Sequence, residues 1–96
     1  MPTSSHNRRL EKTKAFSKDV KKLPQSIAVA GWEAAQILQE NVLSSRLNIR
    51  KLEGYEHVWR VVVKKDYRLV YTFDDSAIYL LRFGHRKEIY RLRFDS

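Results

Sequence analysis

The chain contains no cysteine. Disulfide stapling and thiolate metal sites are therefore excluded, and a reducing cytoplasm fits. No apolar run approaches the roughly 20 residues of a membrane span, and the polar opening MPTSSHNRRLEKTK lacks the apolar centre of a signal peptide. No membrane partner is expected. Neither GxGxxG nor GxxxxGK[ST] occurs, which removes the common nucleotide-binding loops, and there is no GxSxG elbow. His6, His57 and His85 have no metal-ligand spacing, and Asp74-Asp75 is explained by a tight turn. No cofactor or metal is expected.

Acidic residues are also scarce, 11 against 19 Lys and Arg, which leaves a formal net charge of +8. A field of that sign on so small a chain attracts polyanions or an acidic protein. Ninety-six residues with 43% hydrophobic and 31% charged side chains describe one folded domain, residues 1–96, with 1–7 as a flexible leader.

Residues 8–13 read as a short edge strand, with Thr13 as the cap of a following helix. Phe16, Val20 and Leu23 recur at helical spacing until Pro24 stops the run. Ser26 is the expected cap of a second helix reaching about Ser44, with Ile27, Ala30, Ala34 and Leu38 on one face. Gly31 in its interior costs about 1 kcal/mol relative to alanine, and a close crossing of the first helix would explain it. The stretch from Arg46 to His57 is mixed, with a loop at Gly54. Three strand-like runs follow, VWRVVV (58–63), YRLVYTF (67–73) and AIYLLRF (77–83), separated by turns short enough for hairpins. The expected fold is α+β: a helical hairpin packed on an antiparallel meander.

Alternation places Trp59, Val61, Val63, Tyr67, Leu69, Tyr71 and Phe73 on the covered face, together with Ala77, Tyr79, Leu81 and Phe83. Arg60, Val62, Lys64, Arg68, Val70 and Thr72, with Ile78, Leu80 and Arg82, take the other face. A row of guanidinium groups on one sheet face repels itself unless an anion sits among them, and the arginine fork matches phosphate.

The octapeptide GHRKEIYR (84–91) follows the last run. Metal-free cleavage of RNA needs a base for the 2′-hydroxyl, a cation for the crowded phosphate and an acid for the departing 5′-oxygen. His85 and Tyr90 are the acid/base candidates, and Arg68 and Arg86 are the phosphate stabilisers. Arg60, Lys64, Lys65, Arg82 and Lys87 are expected RNA contacts. His57 is a weaker candidate at the mouth of the groove, and Tyr55 is placed to stack on a base.

With these residues in view, WRVVVKKDYRLVYTFDD together with FGHRKEIYR resembles the RelE/ParE toxin superfamily, and within it the RelE-like mRNA interferases. The resemblance covers about Arg8 to Arg91. It implies the toxin of a type II toxin–antitoxin pair that enters the ribosomal A site and cuts the message there by 2′-hydroxyl attack, without metal. The implied partners are a small cognate antitoxin, the ribosome with its mRNA, and operator DNA reached only through the antitoxin. By the same resemblance Arg68, Arg86 and Tyr90 match catalytic positions, Arg60 matches a basic one, and Val62 is apolar where RelE has a lysine. Two other readings stay open: a ParE-like inhibitor of DNA gyrase, and a catalytically weak co-repressor acting with its antitoxin.

Overall fold

The computed structural model describes residues 8–93, so the leader expected at 1–7 lies outside them. Five strands and three helices follow the order β1 (Arg9–Lys12), α1 (Lys14–Lys21), α2 (Gln25–Glu40), β2 (Ile49–Lys51), β3 (Trp59–Val63), β4 (Tyr67–Phe73), β5 (Ala77–His85) and α3 (Arg86–Ile89). The strands form one sheet in the order β1-β5-β4-β3-β2. The meander β3-β4-β5 is antiparallel as expected, and β1 joins it parallel to β5.

Thr13 ties the first helix to this sheet. Its hydroxyl oxygen accepts from the Phe16 N–H at 3.1 Å, which caps α1, and its O–H donates to the Leu80 carbonyl at 2.9 Å. Helix α1 then packs mainly against β5, while α2 lies across β3, β1 and β5. Phe16, Ala34, Ala35 and Leu38 from the helices meet Val61, Leu69, Tyr71, Ile78, Leu80 and Phe83 from the sheet in the main core.

Several expectations need correction. The second helix starts two residues early, with Pro24 rather than Ser26 at its cap position, because the fixed proline φ of −55° already suits a helix entry. It stops at Glu40, since Asn41 is extended and its side chain accepts from the Leu43 N–H at 3.1 Å, closing a turn there. The mixed stretch after Arg46 hides a strand, β2, which pairs with β3.

The face assignment in β5 changes as well. Val70 pairs with Arg82 and Tyr71 with Leu80, so Leu81 is an extra residue, a β-bulge. Before the bulge Ile78 and Leu80, rather than Tyr79 and Leu81, join the main core. Leu81 packs instead with a second cluster on the far face, built from Val58, Val70 and Ile89. Gly31 also has a different neighbour from the one expected. A β-carbon there would lie 2.4 Å from the Phe83 ring, so it is the sheet and not α1 that approaches the helix.

Candidate functional site

Alternation along β4 sends Arg68 to the face away from α1 and α2, and the side chain is 91% buried there, being only 9% exposed. A buried guanidinium demands acceptors. Its Nη1 donates to the carbonyls of Lys65 at 2.8 Å and Tyr67 at 3.0 Å, and its Nε donates to the Tyr90 hydroxyl at 3.0 Å. The guanidinium carbon also lies 5.9 Å from the Tyr90 ring centre. Among the described residues Nη2 has no partner, so one side of the fork is left for an anion.

The turn that supplies the Lys65 carbonyl is unusual. Lys64 and Lys65 sit at φ of 50° and 69°, the left-handed region that costs a residue with a side chain about 1–2 kcal/mol. Next in the turn, the carbonyl of Asp66 accepts from the Arg86 N–H at 2.9 Å, and the Asp66 carboxylate lies 4.0 Å from the Arg86 guanidinium. One three-residue turn therefore anchors both arginines, Arg68 through residue 65 and Arg86 through residue 66. Arg86 opens α3 and Tyr90 closes it, its N–H donating to the Arg86 carbonyl at 3.2 Å.

Beside Tyr90 a groove of about 430 Å³ runs between β2, β3 and the C-terminal segment, lined by Arg50, Lys51, Glu53, Tyr55 and Arg60 among others. Ile89 and Leu92 give it apolar wall. Arg50 and Arg60 are direct cross-strand partners, a like-charge arrangement that costs roughly 0.2–1 kcal/mol without an anion to share. Arg50, Lys51 and Glu53 were missed in the sequence because a three-residue strand leaves almost no alternation to read.

Other expected site residues are placed differently. His85 does not stand on the same face of the sheet as Arg68. It pairs with Tyr67, whose ring it meets at 5.5 Å, so it stands toward the helix-covered face. Its Nδ1 accepts from the Lys87 N–H at 3.2 Å and caps α3. Arg82 is not free for RNA either. It forms a two-pronged ion pair with Asp19 at 2.7 and 2.9 Å, and this neighbour holds its guanidinium above the ordinary range. Asp19 accepts from the Phe83 N–H as well, so the pair fixes α1 to β5. Lys64, Lys65 and Lys87 are exposed, as is His57. Asp74 behaves as a turn residue: the N–H groups of Ser76 and then Ala77 hold its carboxylate below the usual range.

The whole span from Leu10 to Tyr90 matches the model of the ParE toxin of the type II toxin–antitoxin system parDE. The chain belongs to the ParE toxin family. This toxin's fold is shared with three solved antitoxin–toxin complexes. A chain of the RelB–RelE complex from Methanococcus jannaschii is 29% identical over 83% of this chain and 94% of its own, with a TM-score of 0.69. The RelE–RelB complex from Pyrococcus horikoshii matches at 26% identity over 83% and 96%, TM-score 0.69. The RelBE2 complex from Mycobacterium tuberculosis matches at 25% over 86% and 95%, TM-score 0.72. No curated protein sequence gives a significant match. Among the described residues no helix is long and apolar enough to cross a membrane.

Proposed function

We propose that this toxin is an endoribonuclease that cuts messenger RNA in the ribosomal A site by 2′-hydroxyl attack on the adjacent phosphate. The observation that carries this reading is the Arg68–Tyr90 contact, which joins a fixed cation to a phenol that lines an open cationic groove. In this reading the free side of the Arg68 fork and the Arg86 guanidinium hold the two non-bridging phosphate oxygens and stabilise the charge of the pentacoordinate transition state. Tyr90 accepts from Arg68 through an oxygen lone pair, so its own O–H remains free to protonate the leaving 5′-oxygen as the P–O5′ bond breaks, while the proton of the attacking 2′-hydroxyl passes to solvent water as the 2′-oxygen bonds to phosphorus. Arg60, Lys64 and Lys65 hold the neighbouring backbone phosphates. The cognate antitoxin is the protein partner, a reading supported by the RelB–RelE complexes, and operator DNA is reached through it. The ribosome is where the substrate is met, in the cytoplasm.

The test is in vitro translation followed by primer extension on the message. Cuts within ribosome-bound codons are expected, and they disappear with Arg86→Ala while antitoxin binding persists. The match to a ParE model favours one second reading, a gyrase poison that leaves RNA intact. Intact message together with trapped DNA breaks would select it.

A further inference from the structure

We infer that the groove beside Tyr90 is a base-reading pocket selective for guanine, with Glu53 as the residue that selects it; the inference deepens the nuclease reading by naming the nucleotide next to the cut. Among the named charges on the groove, Arg50, Lys51 and Arg60 are positive and Glu53 alone is negative. Among the described residues Glu53 has no ion pair, so the cations beside it have not claimed it. A lone carboxylate on a surface for polyanions repels every phosphate. It is tolerated where it faces something that donates hydrogen bonds, and in RNA those donors are on the bases.

The bases differ in what they offer. Adenine and cytosine present one amino group on their pairing edge and uracil one imino N–H. Guanine presents an imino N–H and an amino group side by side. An ionised carboxylate has two acceptor oxygens in a fork, so guanine alone satisfies both. The groove's other features suit a nucleotide. Its volume of about 430 Å³ lies in the small-ligand range of roughly 300–1,000 Å³. Ile89 and Leu92 offer apolar wall to a base, and Arg50 and Arg60 offer two cations for its flanking phosphates. Tyr90 belongs both to the groove and to the Arg68 contact, so a base bound there is adjacent to the phosphate under attack.

Binding can be measured without any cleavage. The 3′,5′-bisphosphates of guanosine, adenosine, cytidine and uridine are titrated into the full chain and followed by NMR. The guanosine compound is expected to bind at least about fivefold more tightly than the other three, the discrimination of a good bidentate base contact. Glu53→Gln, which keeps the shape but replaces one acceptor by a donor, is expected to level the four affinities. Equal affinities in the wild-type chain, or a guanine preference that survives Glu53→Gln, overturns the inference. Because these probes are not cut, a guanine preference in a chain that leaves every message intact keeps the pocket and removes only the nuclease reading.

Discussion

Arg68 and Tyr90 meet at 3.0 Å between Nε and the phenolic oxygen, 22 residues apart in the chain. The contact joins the start of β4 to the C-terminal end of α3. On β5 the residue opposite Arg68 is Gly84. A buried cation thus orients a half-exposed phenol, and each side chain has a separable role.

Tyr90→Phe keeps the ring and removes the hydroxyl. It also takes the acceptor from the buried Arg68 Nε, so a stability loss of about 1–3 kcal/mol is expected even though Tyr90 itself is 52% exposed. On the proposed nuclease reading, losing the Tyr90 hydroxyl as proton donor is expected to lower cleavage by roughly 10²–10⁴-fold. Single-turnover cleavage on programmed ribosomes reads this, and near-wild-type rates would leave Tyr90 only a stacking role.

Arg68→Lys tests the fork. A lysine amine cannot serve the carbonyls of Lys65 and Tyr67 and the Tyr90 hydroxyl from one geometry. Unfolding in urea is expected to show a loss of about 1–3 kcal/mol, and cleavage a drop of roughly 10²–10³-fold. Arg86→Ala gives the contrast, because its side chain is 53% exposed and its ion pair is long, at 4.0 Å. Stability should stay within about 0.5 kcal/mol of wild type there.

Gly31→Ala sets helix propensity against packing. Propensity favours alanine by about 1 kcal/mol, but the new β-carbon meets the Phe83 ring at 2.4 Å. Phe83 is buried and stacked on Phe16 at 6.2 Å, so it has little room to retreat. Overpacking of this kind costs about 1–3 kcal/mol, and a lowered melting temperature is expected. Adding Phe83→Leu should recover part of the loss.

Tyr71 predicts an alkaline limit to stability. Burial pushes its phenol well above the ordinary tyrosine value of about 10, and its O–H donates to the Val42 carbonyl at 2.6 Å. The folded chain holds this proton where the unfolded chain releases it. The contribution is therefore complete below pH 10 and falls as pH rises toward the folded value. Urea midpoints between pH 8 and 11.5 should decline more steeply in wild type than in Tyr71→Phe, which itself loses about 1–2 kcal/mol at neutral pH for the unpaired carbonyl.

Local patterning determined much of this protein. Thr13 as a cap, the helical spacing of Phe16 and Val20, and the alternation along β3 and β4 were all written in neighbouring residues, as was the placement of Arg68 on the face away from the helices. The arrangement of GHRKEIYR was not. Whether His85 or Tyr90 meets Arg68 depends on a bulge at Leu81 and on α3 folding back under β4, and both answer to packing far along the chain. The same holds for Arg82, which the alternation assigns to a nucleic-acid face until Asp19 of α1 arrives to claim it. Period and propensity act over a few residues and can be read from the sequence; which cation remains unpaired, and next to which phenol, is decided only once distant segments compete for the same partners.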